Sequence, residues 1–139
     1  MYYSRMLLSL VAIFSISLSP CNARLLAASV ETVTPPTLLK SKDELKKFIN
    51  KNHAVIIKFF ASWCGACANM KPLDETMQQK FNTRISFALI DIDQTKEAAE
   101  ENQIKGVPTY IFFRQGKEIA RHVGSMDEKT YTEKLQALL

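Results

Sequence analysis

Two cysteines, Cys64 and Cys67, stand two residues apart at the end of the stretch "FFASWCGAC". Pairs at this spacing staple a chain, supply half of a metal site, or exchange disulfides. A staple is a weak explanation, because so short a loop restricts the unfolded chain little. A structural zinc wants four ligands. Only His53 and His122 are available to complete a set, and neither is spaced as a partner, so no metal is expected. The two histidines read as surface or strand-end residues. The redox reading draws on position, because the pair opens a helical pattern. A thiol at a helix start meets unpaired amides and the positive end of the helix dipole. Both favour thiolate, lowering a pKa that is roughly 8.5 in a free cysteine. Cys64 is then the nucleophile and the more exposed of the two. Cys67, one turn on and facing inward, is placed to resolve a mixed disulfide. Six residues before Cys64 stands Lys58, a charge inside an otherwise apolar run.

Elements that position these residues follow from the pattern on either side. Ser41-Lys42-Asp43-Glu44 is a capping box that opens a helix over about 42–51. Residues 54–60, "AVIIKFF", are β-branched and aromatic and nearly all apolar, as in a strand covered on both faces. Met70, Leu73, Met77 and Phe81 recur at helical spacing, predicting one helix over 64–81 with a kink at Pro72. A second buried strand is expected over 85–92 and a helix over 95–103. A third strand over 109–113 turns at Gln115-Gly116 into a hairpin partner over 118–123. A final helix over 127–139 sets Tyr131, Leu135 and Leu138 on one face. After the first helix the order is βαβα and then ββα. Right-handed crossovers make this an α/β fold, a mixed central sheet with helices on both faces.

The N-terminus has a different character. Arg5 precedes the apolar run "MLLSLVAIFSISL", Pro20 breaks it, and small residues follow at Ala23 and at Ala27–Ser29. This is the layout of a secretory signal peptide over residues 1–23, with cleavage as late as 29. Residues 24–36 read as a linker and 37–139 as the folded domain. The apolar run is shorter than the ~20 residues that a membrane span needs. Leu18-Ser19-Pro20-Cys21 partly matches a bacterial lipobox, from which Pro20 departs. Two readings of Cys21 stay open: a lipid anchor at the mature N-terminus, or a cysteine discarded with the signal. With 139 residues, 47% apolar and 23% charged, the chain is ordinary globular material. Its net charge of +4 is scattered, which argues against a nucleic-acid partner.

Over residues 37–139 the chain resembles the thioredoxins. The resemblance is carried by "FFASWCGAC", by Pro72 in the following helix and by Ile92-Asp93-Gln94 at a strand end. Gly106-Val107-Pro108-Thr109, the hairpin Gly116, and Gly124 before the last helix complete it. A bare C-x-x-C is weak; with the preceding strand, Trp63 and the distant Val-Pro-Thr it is specific. The resemblance implies a thioredoxin-like fold and a thiol–disulfide oxidoreductase that needs no bound cofactor. It implies that Trp63 lies beside the cysteines and contacts substrate. It also implies a cis peptide between Val107 and Pro108 opposite the pair, with the Val107 backbone open to an extended substrate peptide.

Two positions depart from the family pattern. Where most thioredoxins carry a buried Asp that helps move the proton of the resolving cysteine, this chain has Lys58. The lysine that often partners that Asp is replaced by Leu89. A protonated Lys58 favours thiolate and the reduced pair; a neutral one acts as base. A third reading packs its stem in the sheet and sends the amine to water. Gly65-Ala66 replaces the usual Gly-Pro, which frees the first turn, restores an amide and alters the redox potential.

The resulting expectation is an exported, monomeric thioredoxin-like oxidoreductase, in the bacterial periplasm and held at the membrane if Cys21 is lipidated. It exchanges its dithiol with disulfide-containing protein substrates, in the reductase direction. A membrane electron donor then re-reduces it. The competing expectation is a redox-independent peptide-binding module that uses Trp63, Val107 and Pro108 without the thiols.

Overall fold

The structure, a computed structural model, describes residues 34–139. The expected signal peptide, Cys21 and the linker as far as residue 33 lie outside the described residues. The chain runs β1 (Thr37–Leu38), α1 (Lys42–Lys51), β2 (Ala54–Phe60), α2 (Gly65–Asn69), α3 (Lys71–Phe81) and β3 (Ser86–Asp91). It continues through α4 (Lys96–Glu101), β4 (Thr109–Arg114), β5 (Lys117–Val123) and α5 (Glu128–Gln136). The strands form one sheet in the order β1-β3-β2-β4-β5. β1, β3 and β2 are parallel, whereas β4 and β5 are antiparallel additions. This is the expected mixed sheet, and β2, which leads to the cysteines, lies at its centre.

Apart from Lys58, β2 is apolar because both of its faces are covered. Val55, Ile57 and Phe59 point to one side, where they pack with Leu45 and Ile49 of α1 and Ala98 of α4. Ala54 and Ile56 point to the other side, against Met77 of α3 and Tyr131, Leu135 and Leu138 of α5. The period of two sorts side chains between two cores, and Lys58 falls on the α3/α5 side.

Local signals set the ends of the elements. Ser41 caps α1, its Oγ accepting the Glu44 N–H at 3.1 Å. Glu44 returns a bond to the Lys40 amide at 2.7 Å rather than to the cap residue's own. The β4–β5 turn places Gln115 at φ 51° and Gly116 at φ 78°. Two left-handed residues in succession form the turn whose twist suits a hairpin, and glycine is favoured there.

Two elements differ from expectation. β1 is an additional short strand, in register with Ala88 and Leu89 of β3. The single helix expected over 64–81 is two helices, with Met70 ending α2 and starting α3. Pro72 has no amide to donate and its ring crowds the carbonyl four residues back. The proline is better placed in the first turn of a new helix than inside an old one. The chain bends one turn beyond the cysteines. Asp74, whose N–H bonds the Met70 carbonyl at 2.9 Å, begins the new ladder.

Candidate active site

β2 ends at Phe60, and a tight turn carries the chain to Cys64, whose N–H bonds the Ala61 carbonyl at 3.2 Å. Cys64 is the N-cap of α2, in an extended conformation. Its Sγ accepts the Cys67 N–H at 3.0 Å, so the first cysteine, not the second, receives the helix-start amide. The two sulfurs are joined as a disulfide with Cα atoms 5.2 Å apart. The exposures, 7% for Cys64 and 6% for Cys67, do not separate them, contrary to expectation. In the oxidised pair both sulfurs sit in a small apolar cluster with Ala61, Ile92 and Val107. What distinguishes Cys64 here is its place at the head of the helix.

Around the pair the structure gathers most of the residues singled out from sequence. Val107 packs against the cysteine cluster, and the Val107–Pro108 peptide is cis. Pro108 is buried, and its carbonyl accepts the Gly124 N–H at 2.8 Å. Trp63 is 69% exposed, and its Nε1 donates to Asp93 Oδ2 at 2.8 Å. An exposed indole held at one end is a flat apolar platform with a fixed direction. Asp93 was legible as part of Ile92-Asp93-Gln94, but not as the anchor of Trp63. Gly65 and Ala66 are exposed, and a Cβ at Gly65 would meet nothing within 4 Å. The space above the first turn is open to an approaching chain. His53 and His122 lie elsewhere, facing Gln115 and the Ser125 carbonyl respectively.

Lys58 does not send its amine to water. It is 8% exposed, and its Nζ donates to the Cys67 carbonyl at 3.1 Å and to Asp74 Oδ2 at 2.5 Å. The Tyr110 hydroxyl donates to the other carboxylate oxygen, Oδ1, at 3.0 Å. Burial pushes the Asp74 carboxyl above its usual range, against the opposing pull of Lys58 and the two phenols, Tyr110 and Tyr131. Burial also raises both phenols, and Asp74 adds to the effect, so they stay protonated as donors. Lys58, Asp74, Cys64 and Cys67 line a cleft of about 410 Å³, with Phe60 and Leu89 as apolar wall. Sequence reasoning identified the buried lysine and missed its partner. The signal was present, because Asp74 lies between Met70 and Met77 in the helical stripe that faces the core.

These features define a class before any comparison: a dithiol–disulfide pair at a helix start on a mixed α/β sheet, beside an exposed aromatic and a cis-proline. The family model described as Thioredoxin matches residues 36–137. A thioredoxin of Mycoplasmoides gallisepticum is 32% identical over 99 residues, 70% of this chain and 97% of that protein. Thioredoxin-1 of Saccharomyces cerevisiae is 30% identical, over 64% of this chain and 85% of its own. The X-ray structure of Fasciola hepatica thioredoxin superposes with a TM-score of 0.69 at 31% identity, covering 74% of this chain and 99% of that one. The chain belongs to the thioredoxin family. With its Cys64–Cys67 disulfide it is a protein thiol–disulfide oxidoreductase.

Proposed function

We propose that this oxidoreductase works as an exported reductase of protein disulfides, in a bacterial periplasm, and is itself re-reduced by a membrane electron donor. In the mechanism, Cys64 thiolate attacks a substrate disulfide and forms a mixed disulfide. Cys67 then attacks Cys64 Sγ, and the substrate sulfur leaves. The substrate segment lies extended across Trp63 and the Val107 backbone, with Pro108 behind it. Export rests on the charged, apolar and small-residue layout of the first 23 residues.

The observation that carries the reductase direction is the pairing of Lys58 with Asp74. An unpaired buried ammonium beside the cysteines would stabilise thiolate, and with it the reduced pair, which makes a dithiol an oxidant. Here the cation is compensated, so that bias toward the reduced form is largely cancelled.

Cys67→Ser tests the reading in cells. Stable mixed disulfides through Cys64 should accumulate in the exported fraction, and a Cys64→Ser variant should trap nothing. If Cys64→Ser/Cys67→Ser retained the cellular function, the redox-independent peptide-binding reading would replace this one.

A further inference from the structure

Lys58 Nζ stands between two groups, the Cys67 carbonyl and the Asp74 carboxylate. Asp74 comes from the next helix along the chain, two turns beyond Cys67, and opens on the same cleft as the sulfur. A buried ion pair gives little net stability by itself, since desolvation offsets most of the attraction. The position of this pair is what calls for an account. A cation bonded to a carboxylate on one side and to the backbone of the resolving cysteine on the other holds the two residues on one cleft, where negative charge can pass from carboxylate to sulfur while the cluster's total charge stays constant.

We propose that Asp74 is the proton acceptor for Cys67 during resolution of the mixed disulfide, with Lys58 as the positioning residue between them. The inference rests on the oxidoreductase reading and assigns a residue to one of its steps. The Cys67 thiol gives its proton, through water in the cleft, to the Asp74 carboxylate. The Cys67 thiolate attacks Cys64 Sγ, forming the intramolecular disulfide and breaking the Cys64–substrate bond. The substrate sulfur leaves with the electron pair and takes a proton from solvent, and Asp74 later returns its own. No further oxidant or reductant enters. Throughout, the Lys58–Asp74–Cys67 cluster keeps one negative charge beside its one cation, first on Asp74 and then on sulfur.

Geometry favours the carboxylate over the amine as acceptor. Lys58 is committed as a donor on both sides, to a carbonyl and to a carboxylate. Asp74 has free lone pairs and a side chain 21% exposed, so cleft water reaches it. Its raised carboxyl brings it nearer to a thiol in basicity, which is what proton transfer requires. The groups facing Asp74 are Lys58 from β2, Tyr110 from β4 and Tyr131 from α5. Lys71 and Glu75 of its own helix line the same cleft.

The test follows the two thiols separately. Reduced protein is mixed with 5,5′-dithiobis(2-nitrobenzoic acid). The first release of thionitrobenzoate depends on reagent concentration and reads attack by Cys64. The second does not, and it reads resolution by Cys67. Asp74→Asn should slow the second phase at neutral pH by about a hundredfold or more, the lower end of what a general base contributes, and leave the first phase unchanged. Asp74→Glu should restore most of the rate, whereas a purely structural role is met by Asn. In the wild type the second phase should fall as pH drops through the Asp74 ionisation, and the Asn variant should lack that limb. If Asp74 acted only as a charge, removing it beside Lys58 would favour the Cys67 thiolate and speed the second phase. An equal or faster second phase in Asp74→Asn therefore overturns the inference while leaving the oxidoreductase reading intact. A wild type with a first phase and no second overturns both.

Discussion

The two faces of β2 share one strand and nearly the same burial, yet differ in chemistry. On the α1/α4 side, Val55, Ile57 and Phe59 are fully buried in an apolar cluster with Leu45, Ile49 and Ile111. On the α3/α5 side, Ala54 and Ile56 lead into Lys58, which pairs with Asp74, itself held by Tyr110 and Tyr131. The apolar face contributes close packing and nothing that titrates. The polar face exchanges some of that packing for groups that hold or move a proton next to a reacting sulfur. The alternation of one strand thus divides the molecule into a half that holds the fold firm and a half that serves the chemistry. Each half should fail in its own way.

The largest effect on stability belongs to the apolar half. Ile57→Ala leaves a cavity in a packed layer and should cost about 3 kcal/mol, within the usual range for such truncations. Urea unfolding reads the loss from the midpoint at constant slope. Both phases of thionitrobenzoate release should keep their wild-type rates under folding conditions. A slowed second phase in this variant would show that the division between the halves is false.

Next in size is the ion pair. Lys58→Met removes a cation and strands a carboxylate. Asp74 is partly exposed, so the cost should be nearer about 2 kcal/mol than the 3–5 that fully buried pairs show. Replacing both partners, as Lys58→Met/Asp74→Leu, should recover most of that loss, since no charge is then left unpaired. The double variant should nevertheless resolve mixed disulfides slowly. A double variant as unstable as the sum of the two singles would mean that the pair is not coupled.

The same division explains what the sequence made legible. β2, the hairpin and the cap of α1 follow from periods and residue types that act over a few positions, so they could be read from a single chain. The cysteine pair at a helix start was legible for the same reason, as was the anomaly of a lysine in an apolar strand. β1 was not, because Thr37 and Leu38 are too few to show a period and form a strand only by pairing with β3. From sequence the break at Met70 reads as a kink, since Pro72 disfavours the preceding ladder without saying whether the chain bends or restarts. Asp74 was the main omission. Pattern shows which face a residue takes, but not which strand residue a helix residue will meet, and the pairing with Lys58 is a product of tertiary packing.

The smallest expected effect is the most specific to the polar half. Burial raises the native Asp74 carboxyl above its unfolded value of 3.8. Between those two values the native state holds more proton than the unfolded chain, so stability falls as pH rises through that window. Surface carboxylates act in the opposite sense. Glu101 is held low by Lys46 and Lys42, and Asp127 by the Thr130 amide that it caps, so their contributions are lost as pH falls. The wild-type curve of stability against pH mixes the two trends. Subtracting the curve for Asp74→Asn should cancel the surface groups and leave one component that declines as pH rises from the unfolded carboxyl value through the raised native one. Parallel curves for the two proteins would mean that Asp74 ionises in the fold as it does in the unfolded chain. The polar face of β2 would then hold an ordinary carboxylate, less suited to taking the proton of Cys67.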